Sequence, residues 1–138
     1  MTDKLARSVI QPTNPRLNVS RNANLPHVPG IRIGDYIFLS GMGPIDPQTG
    51  TVKGDTVEEQ TEVVIDNIEA ILEAGGATLA DCVKATVHLV DETEFPRFNE
   101  VYARRFPEPR PARTTVGSGM RQVPGMRVEI DVIAYVGN

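Results

Sequence analysis

Arg113 and Glu129, sixteen positions apart, are the residues whose types and settings best suit chemistry. Arg113 closes the run Pro107-Glu-Pro-Arg-Pro-Ala-Arg113. Its three prolines exclude helix and stiffen the approach to a short β-prone segment at residues 114–116. A guanidinium is a planar fork of permanent positive charge, matched to a carboxylate by two parallel hydrogen bonds. Glu129 lies in Met126-Arg-Val-Glu-Ile-Asp-Val-Ile-Ala-Tyr-Val136, an otherwise apolar strand, where a carboxyl can act as general acid or base. Strand alternation puts Val128, Ile130, Val132 and Ala134 on one face and Glu129, Asp131, Ile133 and Tyr135 on the other. A charge on a covered sheet face must be paired or shift its pKa, so Glu129 and Asp131 are the acids to follow. If Arg113 partners either, the chain holds a carboxylate-and-guanidinium pocket. The plain alternative is a surface Arg and an outward-facing strand Glu.

Other polar residues carry weaker signals. Gly41 ends an apolar strand, where it permits close backbone approach and its amide can face a ligand; an ordinary strand terminator reads the same way. Asn99 is a poor helix former on a helix flank, kept for a hydrogen bond or simply exposed. His88 reads as a packing or interface residue. The one cysteine, Cys82, reads as a small buried hydrophobe. It can form neither an internal disulfide nor a thiolate metal site.

Positioning these residues takes strands and two helices. Residues 28–33 and 36–40 read as strands around the turn Gly34-Asp35, the second apolar throughout and so central and covered on both faces. A short edge strand is expected at residues 8–11. The Pro- and Asn-rich loop at 12–26 fits no regular element; a loop of that length is functional or packed against something. The first helix starts at Asp55 or Thr56 with Glu58 or Glu59 completing a capping box, and stops at Gly75-Gly76. Val57, Val64, Ile65, Ile68, Ile71 and Leu72 form its apolar stripe. Residues 81–90 alternate as a strand. A second helix follows, capped by Thr93, with Pro96 in its first turn. Phe95, Phe98, Val101, Tyr102 and Phe106 are its buried side. The sum is an α+β fold: a single mixed β-sheet with two helices on one face. Its other face, rich in apolar residues, calls for another subunit, and hence for an oligomer with sites between subunits.

With 138 residues the chain fits one domain, 1–138, and its 40% apolar content suffices for one core. A net charge of −4 and small basic clusters argue against a nucleic-acid backbone as partner. No apolar run approaches a membrane span, and residues 1–7 lack a signal peptide's apolar segment, which makes a cytoplasmic protein the expectation.

Taken together, several segments resemble the RidA family of imine and enamine deaminases, also called the YjgF or translation-inhibitor family. They are Gly34-Asp-Tyr-Ile-Phe-Leu-Ser-Gly41, Pro44-Ile-Asp-Pro-Gln-Thr-Gly50, Gln60-Thr61 through Asn67, Phe98-Asn-Glu-Val-Tyr102, Pro109-Arg-Pro-Ala-Arg-Thr-Thr-Val116 and Val128-Glu-Ile-Asp-Val-Ile-Ala134. The resemblance implies a chorismate-mutase-like fold, a homotrimer with sites between subunits, and no cofactor. It implies that Arg113 holds the substrate carboxylate and Glu129 positions or activates water. It further implies that Ser40 and Gly41 line the pocket, with Asn99 and Thr115 contributing contacts. The implied reaction releases ammonia from 2-aminoacrylate and related imino acids. Three positions depart from the family pattern: His27 where a tyrosine is usual, Met42 in place of a glutamine, and Gly117-Ser118-Gly119 where a glutamate is common. His27 resembles the 2-aminomuconate deaminase branch, where it can serve as a proton relay, a second carboxylate donor, or plain wall. A trimer that binds small carboxylates without turnover is the competing class.

Overall fold

The computed structural model describes residues 5–119 and 123–137. One mixed sheet of six strands runs in the order β1-β2-β3-β6-β4-β5. The strands are β1 (Arg7–Val9), β2 (Gly30–Ile33), β3 (Tyr36–Leu39), β4 (Cys82–Leu89), β5 (Ala112–Gly117) and β6 (Val128–Tyr135). Helices α2 (Val57–Ala74) and α3 (Phe95–Arg105) cover one face. The expected α+β layer and element order are borne out. Neighbouring strands pair antiparallel except β4 and β5, which are parallel and joined by the crossover helix α3. The core lies between sheet and helices, where Ile37, Ala85, Val87, Ile130 and Val132 meet Val64, Ile65, Ile68, Phe98 and Val101.

Local chemistry explains the helix ends. The Thr56 hydroxyl accepts from the Glu59 amide at 3.1 Å, and the Glu59 carboxylate accepts from the Asp55 amide at 3.0 Å. At the other end, Gly76 takes a φ of +87°, open to glycine at little cost. The last turn of α2 has no basic residue. Arg32 of β2 supplies the missing cation, donating to the Gly75 carbonyl at 3.0 Å. The two helices are clamped by Arg105, which donates to Glu62 and Asp66 and also to Glu69.

Four expectations need correction. Thr93 does not cap α3: Asp91 accepts from Thr93 in a preceding 3-10 turn, Glu92–Glu94, and the helix begins at Phe95. A carboxylate is the stronger acceptor for that turn. Phe95 is not buried, being 41% exposed. Strand β3 is central but covered on one face only, with Tyr36 and Phe38 nearly half exposed. The loop at 12–26 holds a 3-10 turn, Pro15–Leu17, and a single-turn helix α1, Val19–Asn22. Asn14 and Asn18 cap them through their side chains, which is what the asparagine-rich composition encodes.

Candidate active site

Register decides where the two chemical residues lie. Arg113 stands opposite Ala85, a residue fully buried beneath the helices. Glu129 stands opposite His88 on the open face. Within one chain the two therefore point to opposite faces of the sheet, and the pocket that would join them is not formed by a single subunit.

Helix α3 fixes Arg113. Its guanidinium donates to the Asn99 side-chain oxygen at 2.8 Å. The guanidinium carbon lies 4.6 Å from the Tyr102 ring centroid, 5.4 Å from Phe98 and 5.6 Å from Phe95. Three ring faces turned to one cation hold it electrostatically while Asn99 takes one of its five N–H donors. Asn99, Tyr102, Ala103, Arg110, Pro111 and Arg113 line an open groove at this edge. Thr115 follows on the same side of β5, opposite Val87, and lines neither this groove nor the cavity below. The Tyr102 hydroxyl is buried without a hydrogen-bond partner among the described residues, and burial pushes its pKa up to about 12.

Glu129 opens onto a cavity of about 250 Å³. His27, Ser40 and Gly41 line it with Glu129, so four of the expected site residues come together here. A Cβ added to Gly41 would sit 2.8 Å from the Glu129 carboxyl carbon, so the carboxylate lies directly against the bare glycine backbone. Met42 pins this segment, its amide donating to the Ile130 carbonyl at 2.8 Å and its carbonyl accepting from Ile130 at 3.1 Å. The Ser40 hydroxyl donates to the Val28 carbonyl at 2.5 Å. Gln60 aligns the start of β6, accepting from the Arg127 amide at 2.7 Å and donating to the Gly125 carbonyl at 2.9 Å. On the same open face, burial raises the Asp131 carboxyl pKa, against the opposing pull of His88 and Lys84.

Residues 19–136 match the family described as Endoribonuclease L-PSP. The chain belongs to this family, the RidA/YjgF proteins. The RidA-family resemblance read from the motifs is borne out. Over 111 residues the chain is 48% identical to a RutC family protein of Pyrococcus abyssi, a match covering 80% of this chain and 86% of that one. It is 38% identical over 109 residues to Reactive Intermediate Deaminase A, chloroplastic, of Arabidopsis thaliana, covering 79% and 58% of the two. The crystal structure of E. coli TdcF with bound serine superposes with a TM-score of 0.75 at 33% identity, covering 81% of this chain and 89% of that one.

In this RidA-family chain, two of the three departures from the family pattern fall on the Glu129 cavity, since His27 and Met42 both line it. Gly117 lies elsewhere, where a Cβ would run into the Glu92 carboxylate. Sequence reasoning missed Asn67 and the ring triad beneath Arg113. Asn67 is 3% exposed and donates to the Ile45 carbonyl at 2.8 Å, holding one cavity wall. The available signal was an amide sitting among Val64, Ile68 and Ile71 on an apolar stripe. Among the described residues no cluster of three or more metal-ligating side chains occurs, and no helix is long and apolar enough to cross a membrane.

Proposed function

We propose that this chain is a cofactor-free deaminase that hydrolyses small imines and enamines bearing a carboxylate, of the 2-aminoacrylate type, to 2-oxo acids and ammonia. It works as a homotrimer in which Arg113 of one subunit meets Glu129 of the next. The observation that carries the reading is the Glu129 carboxylate seated against Gly41 in a mostly apolar cavity, in a chain related to a protein named for deamination.

An enamine such as 2-aminoacrylate becomes an iminium by taking a proton from water at its terminal carbon; the carbon bonded to nitrogen is then electrophilic, so the protein need only orient it, place a water and move protons. Arg113 grips the carboxylate. Glu129 takes a proton from water as its oxygen bonds to the imine carbon. The same proton then passes to nitrogen; as the carbon–nitrogen bond breaks, the new hydroxyl gives its proton to the freed Glu129 carboxylate and closes to the carbonyl, so that ammonia leaves a 2-oxo acid. Arg113 lies on the outermost strand, where it can reach a neighbour. Val9, Tyr36, Phe38, Val116 and Tyr135 are each more than a third exposed on the open sheet face, an apolar surface suited to association.

Ammonia release from 2-aminoacrylate and from 2-aminomuconate tests the reading. Arg113→Ala and Glu129→Ala should each lose roughly 100-fold or more. Co-refolding equal amounts of the two inactive variants should restore about a quarter of wild-type activity, because one site in four then receives both intact groups from different chains. Full activity in Arg113→Ala would overturn its role, and no recovery in the mixture would overturn the shared site.

A further inference from the structure

Glu129 sits between two unlike neighbours. On one side the carboxylate rests on the bare Gly41 backbone, which offers it no side-chain donor. The polar side chains nearby donate elsewhere: the Ser40 hydroxyl to the Val28 carbonyl at 2.5 Å, the Asn67 amide to the Ile45 carbonyl at 2.8 Å, and the Gln60 amide to the Gly125 carbonyl at 2.9 Å. On the other side β4 places His88 directly opposite Glu129. Both stand on the open face and both are partly buried. Residues directly opposite in an antiparallel pair have Cβ atoms about 4.5–5.5 Å apart, within reach of an imidazole and a carboxylate. His88 does not line the cavity, so it is placed to touch the base and not a substrate held there. The other groups on this face leave its ring to the carboxylates. Val116 of β5, on the far side of His88, is apolar. Lys84 donates to the Thr114 hydroxyl at 2.9 Å, and Arg127 is paired with Glu94 at 3.2 Å. Asp131 lies diagonally across, opposite Thr86, where the charge of His88 pulls against the burial that raises the Asp131 carboxyl.

We propose that His88 is the positioning residue of the Glu129 base: a ring N–H donates to one carboxylate oxygen and leaves the other turned to the water. The inference rests on the proposed reaction, in which Glu129 takes a proton from that water. A base of this kind works when a third group orients it, and a strand holds that group more precisely than a loop. His27 lines the cavity from the exposed loop, whereas His88 stands on the strand beside Glu129 itself. A neutral imidazole keeps one N–H and a protonated one has two, so the bond survives titration of the ring. The added positive charge makes Glu129 a weaker base, so loss of that charge speeds proton removal from water.

The test compares His88→Leu and His88→Gln with wild type in ammonia release from 2-aminoacrylate. Leucine fills similar space without a donor, and kcat/KM should fall about tenfold. Glutamine restores an uncharged donor and should recover most of that loss. Wild-type activity in His88→Leu overturns the proposal, and equal loss in both variants overturns it in favour of packing. Between about pH 5.5 and 8 histidine changes charge and glutamine does not. The ratio of wild-type to His88→Gln kcat/KM, in which the ionisation of the substrate cancels, should rise about twofold or more across that range. A flat ratio overturns the proposal. Ring-nitrogen NMR gives a readout independent of turnover. The chain has two histidines, so His27→Gln assigns their signals. Glu129→Ala should move the His88 ring nitrogens, and unmoved nitrogens overturn the contact. Moved nitrogens with no imine accelerated by the wild type support the pair and overturn the deaminase reading alone.

Discussion

Replacing Gly41 by alanine tests the seat of Glu129 without testing the fold. Gly41 does not use the left-handed backbone region, so alanine can adopt its conformation. The added carbon would lie 2.8 Å from the Glu129 carboxyl carbon, and 2.9 Å and 3.1 Å from its oxygens. Non-bonded carbons rest at about 3.5–4.0 Å, so the carboxylate must retreat by roughly 0.7 Å (about 3.5 minus 2.8) or more. It is the free end of a flexible side chain and can move at little cost to the fold. Alanine also restricts the unfolded chain, which contributes about 0.4–1 kcal/mol in favour of folding. Thermal stability should therefore shift by only a few degrees. The proposed hydrolysis has no such tolerance, since a displacement of about 1 Å can cost about 100-fold. For this shift we expect a 10- to 100-fold fall in kcat/KM, roughly 1.4–2.7 kcal/mol on the barrier. The assay is ammonia release from 2-aminoacrylate beside a thermal melt of the same sample. Wild-type kcat/KM in Gly41→Ala would refute the argument that Glu129 acts from its position against residue 41. A Tm lower by more than about ten degrees would assign the loss to unfolding instead.

Three further outcomes follow from buried groups. Tyr102→Phe removes an unpartnered hydroxyl and should leave stability unchanged or raise it by about 1 kcal/mol in urea unfolding, with ammonia release unaffected; a clear loss would mean that the hydroxyl has a partner in solution. Burial, with Asp81 nearby, pushes the Cys82 thiol up to about 12, so a thiol reagent at about pH 8 should label only unfolded protein; rapid stoichiometric labelling of the native chain would contradict its burial. Burial also raises the Asp131 carboxyl, which means that the folded state holds the proton more tightly than the unfolded one. Its destabilising effect is complete above the folded pKa and vanishes below the ordinary carboxylate range. Asp131→Asn should therefore raise the urea midpoint at about pH 7 and leave it unchanged near pH 3; an equal shift at both would exclude titration as the cause.

The elements were legible because each had a local cause. The Thr56 cap, the stripe from Val57 to Leu72 and the stop at Gly75-Gly76 are side-chain facts that survive folding unchanged. The faces of β6 followed from alternation alone. The site was legible as a set of residues but not as an arrangement. Whether Arg113 and Glu129 share a face depends on pairing Ala85 with both Arg113 and Val132, a contact among three strands far apart in sequence. The 12–26 loop was opaque because its caps depend on which asparagine turns back on which amide. Phe95 was misplaced because helical spacing puts it on the buried stripe, while its position at the first residue of α3 leaves it at the edge against Arg113.

The 12–26 loop is largely self-supporting. Asn14 and Asn18 close its two turns, the Ser20 hydroxyl donates to Asn18 at 3.0 Å, and the Asn22 amide reaches back to the Pro15 carbonyl at 3.1 Å. None of these bonds draws on a strand of the sheet. Leu17 ties the loop to the core, while exposed residues such as Arg16, Arg21 and Leu25 can change without disturbing the register that seats Glu129. Grafting this segment between relatives should therefore exchange one wall of the cavity beside Glu129 while leaving the strand pairing beneath it in place.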